Sequence, residues 1–358
     1  MRLIIGTYTE SLPHVDGKAD GILGTEFDAA SGRFGEVRTL APARNPSYLA
    51  LSSPGDRLYA VCESGTFEGT RGGGLIAFAR DPRTGALSRP HGHPTHGEDP
   101  CHVTLAGGGR FVVTANYGQD EGSVTVFPVT AGGGLGEAAC HVRRSGHGPH
   151  PERQTSSHAH MTAVDPETGN LLVADLGADT IFVYSADPAG RLTLSGELKT
   201  APGTGPRHLA FHPDGRHLFV VGELDSTVSV WRRSAPGGDF LLVSAVSTLP
   251  LGDTGGGNLA AAIRVSPSGR HVLVSNRGHD SIAVFGFDPG SSRLRLAGVT
   301  AAGGQCPRDF ILTPDGRRLV AASQDSDLLT SHEFDDDAGT LRPLYRTPAP
   351  TPVCLLLA

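Results

Sequence analysis

The sequence predicts an all-β fold: a seven-bladed β-propeller with four antiparallel strands per blade, read as one domain over residues 1–358. Three observations predict it. Glycine at 49 and proline at 26, against two methionines and 19% charged residues, is the composition of short strands joined by tight turns, not of a helical bundle. A strand–turn–strand phrase recurs six times along the chain. Two unmatched fragments remain at the ends, and together they make one more blade.

The phrase reads NPSYLALSSPGDRLYAVCE from Asn45 and DPCHVTLAGGGRFVVTANY from Asp99. It reads SSHAHMTAVDPETGNLLVADL from Ser156 and GPRHLAFHPDGRHLFVVGE from Gly205. It returns as NLAAAIRVSPSGRHVLVSNR from Asn258 and CPRDFILTPDGRRLVAASQ from Cys306. Aligned on turns at Pro54, Gly108, Pro166, Pro213, Pro267 and Pro314, successive repeats lie 47 to 58 residues apart. A third strand follows, as in GSVTVFPV, DTIFVYSA, STVSVWRR and DSIAVFGF, then a turn such as DPAGRL or DPRTGAL and a fourth strand. Pro-Asp-Gly and Asp-Gly turns supply the positive φ that tight hairpins need. Four strands per unit at this period is a propeller blade.

The N-terminus contributes RLIIGTYTE, GILGTEFDAASG and RFGEVRTL, and the C-terminus the lone strand TPVCLLLA. Joined in one sheet, they form a seventh blade closed by N- and C-terminal strands, which removes an edge open to aggregation.

Composition also excludes classes of function. The formal charge is -7 with no basic cluster, which argues against nucleic acid or a membrane surface as partner. A small anionic lactone or carboxylate is still compatible, because a site can be locally basic in an acidic protein. The opening MRLIIGTYTES lacks the apolar length and cleavage site of a signal peptide, and no run of eighteen apolar residues occurs. Five cysteines, odd in number and without a CxxC pair, predict free thiols in a reducing cytoplasm. No G-x-S-x-G elbow, HExxH or zinc-like Cys/His spacing is present, so neither an acyl-serine mechanism nor a cofactor or metal is expected. A ring closed on itself needs no oligomer, so a monomer or weak homo-oligomer is expected.

The first strand of a blade lines the central channel and the second runs antiparallel to it. The start of one and the end of the other therefore meet at one mouth. The turn alignment places Tyr48, His102, His160, Arg207, Ala261 and Arg308 at first-strand starts. It places Glu63, Asn116, Leu176, Glu223, Arg277 and Gln324 at second-strand ends, flanked by Asp175 and Asn276. A structural repeat has no need of titratable groups there, and their concentration in a concave mouth is a site signature. The segment SGHGPHPERQTSSHAH, residues 145–160, descends into the third blade and delivers Arg153, Gln154, His158 and His160 to the same place. His147 and His150 read as solvated loop positions, and HGHPTHGEDPCH, residues 91–102, as an exposed loop between blades.

HPERQTSSHAHM, LLVADLGADTIFVY, GTGPRHLAFHPDGRHLFVVGELDSTVSVW and VSNRGHDSIAVF resemble the β-propeller lactonase family, which includes propeller-type 6-phosphogluconolactonases and carboxymuconate cyclases. GTYTES and GPRHLAFHPDGR are also similar to that family, and the likeness covers nearly the whole chain. It implies a seven-bladed propeller and a cofactor-free site made of a histidine, arginines and a glutamate. By motif these are His160 in SSHAH, Arg207 in GPRH, Glu223 in VGELDS and Arg277 in SNRGHDS.

Lactone hydrolysis needs an activated water, a stabilised tetrahedral oxyanion and a protonated leaving alkoxide. His160 suits the base, assisted by Glu223, with the two roles exchanged as the other reading. Arg277 and Arg207 would hold a phosphate or carboxylate and offset developing charge, with Arg153 a third anion contact. Gln154, His158, His102, Arg308 and Asn276 complete the expected substrate contacts. The leading expectation is a metal-free lactonase acting on 6-phosphogluconolactone in the pentose phosphate route. The alternatives are a carboxymuconate cyclase, a metal-dependent lactonase using Glu63, Asn116, Asp175, Glu223 and Asn276 as hard oxygen ligands, and a propeller that binds a protein without catalysis.

Overall fold

The computed structural model describes residues 1–118, 121–253 and 255–358. Six four-stranded sheets follow the six repeats in order, and their inner strands are Leu49–Leu51, Pro100–Ala106, Ala159–Val164, Pro206–Phe211, Leu259–Val265 and Pro307–Leu312. They are blades one to six. The seventh runs Pro352–Leu357, Arg2–Thr7, Gly21–Asp28 from the channel outward, with Arg38–Pro42 paired to the last of these. The final strand of the chain is thus the inner strand of the sheet that the first strand opens, and Leu3 faces Leu357 across the junction. The predicted seven-bladed architecture and its closure are the observed ones.

Packing explains why these strands read as nearly continuous apolar runs. Blades stack face to face, so both faces of each sheet are buried. In Arg2–Thr7, Leu3 and Ile5 pack towards blade six with Val320 and Leu329, while Ile4 packs towards blade one with Leu58 and Phe78. The alternation of a strand is preserved, but apolar residues occupy both phases. Each fully buried Leu, Ile or Phe contributes about 1.5–3 kcal/mol. The cores lie between blades, leaving the channel free for polar side chains. No helix of the described residues is long and apolar enough to cross a membrane. All five cysteines are free, and Cys62, Cys101 and Cys354 are buried.

Candidate active site

Inner strands carry a β-bulge near the mouth, where the ladder skips a residue. The skipped residue is Cys101 in blade two, His160 in blade three, Arg207 in blade four, Arg308 in blade six and Val353 in blade seven. Blade five skips Ala261 and Ala262. A bulged residue has no partner in the ladder and is re-aimed off the pleat. Repetition of the bulge therefore builds a ring of side chains around the channel.

A second ring lies one step nearer the mouth. Tyr8, Glu63, Tyr117, Leu176, Glu223 and Gln324 each donate their backbone N–H to the carbonyl of Thr351, Asn45, Asp99, His158, Gly205 and Cys306 respectively. That acceptor stands two residues before the bulge, which makes Ser47 the bulge equivalent of blade one. Arg277, paired opposite Leu259, holds the same level in blade five. The rings border a cavity of about 810 Å³, reached by His160, Glu223, Arg153, Arg277, Arg308 and Tyr117. A second space of about 10 Å³, roughly the size of one water, lies between the bulge ring and the residues below it. His160, Glu63, Cys101 and Arg308 border both spaces.

Glu223 organises the arginines. Its Oε1 accepts from Arg153 Nη2 at 2.6 Å, and its Oε2 lies 3.0 Å from Arg207 Nε and 2.7 Å from Arg277 Nη2. Burial opposes its ionisation, but the guanidiniums of Arg277, Arg153 and Arg207 outweigh burial and hold the carboxyl well below the usual carboxylate range. The Arg207 Nε and Arg277 Nη2 contacts meet the distance of an ion pair but not the angle of a hydrogen bond, so those donors are not spent on Glu223. Burial and the neighbouring Arg277 push Arg207 down to about 9, still charged at neutral pH.

His160 is buried, with 5% of its surface exposed, and its Nδ1 has no hydrogen-bond partner. Burial, reinforced by Arg207, presses its proton affinity well below that of an ordinary imidazole. It is therefore neutral near pH 7 and able to accept a proton. His208 stands 5.5 Å away, ring centre to ring centre, and is kept neutral by burial and by Arg207 as well.

The structure brings His160, Glu223, Arg207, Arg277, Arg153 and Arg308 together, and it does not bring the remaining expected contacts to the cavity. Gln154 is fully buried behind it: Nε2 donates to the Leu176 carbonyl at 2.9 Å and Oε1 accepts from the His150 N–H at 3.1 Å. It braces the loop that presents Arg153. Replacement by alanine is expected to cost about 1–3 kcal/mol in urea-unfolding stability, the penalty of buried groups left unpaired. His158 stacks on Tyr117 with ring centres 4.2 Å apart, and its Nδ1 meets the Tyr117 carbonyl at 3.0 Å, so it positions Tyr117. Asn276 is walled in by Thr248, Asn258 and Ser281. His102 lies below the bulge ring against Tyr48, and burial there pushes it down to about 3. His147 is exposed, whereas His150 accepts the N–H of Arg153 at 3.2 Å and belongs to the loop brace.

The displacement of His102 has a specific cause. The left-handed glycines of the turns, Gly55, Gly109, Gly215, Gly269 and Gly316, are the true equivalents. Counted from Gly109, the bulge residue is Cys101 and the next ring residue is Tyr117, each one place from the positions that Gly108 had suggested. Counted from Gly55, it is Ser47 instead of Tyr48. Tyr8 and His14 were missed for another reason, since the blade that carries them has no intact copy of the phrase. Tyr8 donates to Glu63 at 2.7 Å and accepts from Arg308 at 3.1 Å, and His14 packs edge-on against its ring at 5.5 Å.

The donors expected for a divalent ion do not converge. Glu63 is engaged by Tyr8 and Ser47, Asp175 by Ser157 and by the N–H groups of His158 and Ala178, and Asn116 and Asn276 lie inside blade walls. Three arginines that line the cavity, with Arg207 behind them, also oppose a cation. His212, Asp214 and His217 cluster at the far turn of blade four, where hydrogen bonds to Gly269, Ser292 and Asp214 already hold both rings.

Comparison with known proteins agrees with this fold. The family described as "Lactonase, 7-bladed beta-propeller" matches residues 2–357. The chain is 35% identical to a 6-phosphogluconolactonase of Bacillus subtilis over 98% of its own length and 96% of the relative's. It is 34% identical to a 6-phosphogluconolactonase of Erwinia tasmaniensis over 71% and 73%. Among solved structures, the periplasmic gluconolactonase of Pseudomonas aeruginosa superposes with a TM-score of 0.90 at 33% identity, covering 99% of this chain and 98% of that one.

Proposed function

This chain belongs to the seven-bladed β-propeller lactonase family, and from that premise we propose that it hydrolyses 6-phosphogluconolactone to 6-phosphogluconate by general acid–base catalysis without a metal. One observation carries the reading: a neutral histidine with an unpartnered nitrogen borders both a ligand-sized cavity and a water-sized space, beside four arginines.

His160 takes a proton from the attacking water as its oxygen bonds to the lactone carbonyl carbon. The carbonyl oxygen becomes an oxyanion, whose charge is offset by the guanidiniums of Arg277 and Arg153 at the cavity and of Arg207 behind them, all held by Glu223. The ring C–O bond then breaks, and the departing alkoxide recovers the proton from His160. Both carboxylate oxygens of Glu223 are engaged by guanidiniums, whereas His160 keeps a nitrogen without a partner, and this favours His160 as the base. A preorganised donor to an oxyanion is worth roughly 10²–10³ in rate.

The test is hydrolysis of freshly made 6-phosphogluconolactone by EDTA-treated protein, with product oxidised by a coupled dehydrogenase and spontaneous hydrolysis subtracted. The expected result is turnover unchanged by EDTA. Loss on chelation, restored by a divalent ion, would overturn the metal-free mechanism. The free thiols support a reducing, cytoplasmic setting, and the closed ring a monomer.

A further inference from the structure

We propose that Arg308, with His14 beside it, is the specificity element that reads the substrate's distal phosphate and separates phosphorylated from unphosphorylated lactones. The proposal rests on the lactonase reading and narrows it. The relatives make the question concrete, since one is named a 6-phosphogluconolactonase and another a gluconolactonase on the same scaffold.

The arginines around the two spaces are not equivalent. Arg153, Arg207 and Arg277 share the carboxylate of Glu223. Their charge is partly cancelled, and their geometry serves the reacting carbonyl. Arg308 makes no ion pair among the described residues. Among the described residues its only side-chain hydrogen bond is from Nη2 to the hydroxyl of Tyr8 at 3.1 Å, a neutral acceptor that in turn donates to Glu63 at 2.7 Å. One nitrogen is thus anchored and the rest of the planar fork is available, which is the arrangement that binds a phosphate in two places.

His14 projects from the hairpin between Ser11–Leu12 and Val15–Asp16 and lines the same cavity. Partial desolvation at the cavity wall, reinforced by Arg308, lowers its proton affinity below that of an ordinary imidazole, so this largely exposed ring offers a neutral N–H donor to an anion there. Asp325, on the same rim, is turned to Gln324 Nε2 at 2.8 Å, and Asp280 accepts the N–H groups of Gly278 and Cys306. Glu63 and Asp99 also border the cavity, and Glu63 is engaged by Tyr8 and Ser47, so the cation available to a bound anion on this wall is the Arg308 guanidinium. The C6 phosphate lies outside the lactone ring, so its recognition falls to a group other than those that meet the carbonyl.

The test compares binding of 6-phosphogluconate and gluconate by calorimetry, alongside kcat/KM for the two lactones, in wild type, Arg308→Gln, Arg308→Lys and His14→Ala. Arg308→Gln is expected to weaken 6-phosphogluconate about 10- to 100-fold, the value of hydrogen bonds to a charged group, and gluconate by less than about threefold. Arg308→Lys should recover part of the loss, because it keeps the charge but not the fork. His14→Ala, in an exposed hairpin where folding is not at stake, should move the same ratio less. Equal weakening of both ligands, or an unchanged ratio in both the Gln and Ala variants, would overturn the assignment. A wild type that prefers 6-phosphogluconate but hydrolyses neither lactone would sink the lactonase reading and leave the anion site standing.

Discussion

Replacing His160 with asparagine is expected to lower kcat on the lactone by about 10²–10⁴-fold, the usual worth of a general base, with KM nearly unchanged. The side chain touches the cavity, but the anion contacts belong to the arginines, so binding should survive. A melting curve close to wild type would show that the loss is catalytic. The pH profile gives a second readout. His160 must be neutral to accept a proton, and burial beside Arg207 has moved its folded pKa well below the ordinary imidazole value of about 6.5. Activity should therefore be flat as pH falls through that value and decline only further down, as the ring protonates. An acid limb centred at the ordinary histidine value would mean that another group is the base. The exchanged assignment, with Glu223 as base, predicts instead that His160→Asn retains most of its kcat.

The fold was legible because its logic is local and repeated. Each blade states its turn and alternating strands again, so a misread boundary in one copy is corrected by the others. The split blade was legible because TPVCLLLA had no partner of its own. The site was legible where the turns are regular. Arg207 and Arg308 follow from identical Pro-Asp-Gly turns, and His160 and Glu223 from the same count. Blade two replaces that turn with three glycines, and blade one inverts the Asp and Gly. In both, a proline-based count slips by one residue, and in a bulged strand one residue separates a channel-facing side chain from a wall residue. Gln154, His158 and Asn276 illustrate a different limit. Polarity is readable in a sequence, but the buried backbone groups that claim a polar side chain come from distant segments, such as Leu176, Tyr117 and Thr248. No motif announces them.

Glu223→Gln should produce the largest loss of stability at the mouth, because it leaves Arg153, Arg207 and Arg277 converging on a site without a counter-charge. Removing one partner of a buried ion pair typically costs about 3–5 kcal/mol, and here the carboxylate is 1% exposed and faces three cations. The sign of the pH dependence follows from the depressed folded pKa. The carboxylate stabilises the native state fully above its unfolded pKa, about 4.3, and that contribution is lost as pH falls towards the folded value. The gap in urea-unfolding free energy between wild type and variant should therefore be constant near neutrality and shrink only in acid. Because the variant has gained an uncompensated cationic cluster, inorganic phosphate should raise its melting temperature more than that of wild type, by preferential binding to the native state. Catalysis should fall too, since the guanidiniums of Arg153 and Arg277 lose the group that holds their charge at the cavity. A stable variant with no response to phosphate would show that the arginines relax into water when Glu223 is removed. Glu223 would then be dispensable to the architecture of the site, and the oxyanion role of the arginine pair would have to be abandoned with it.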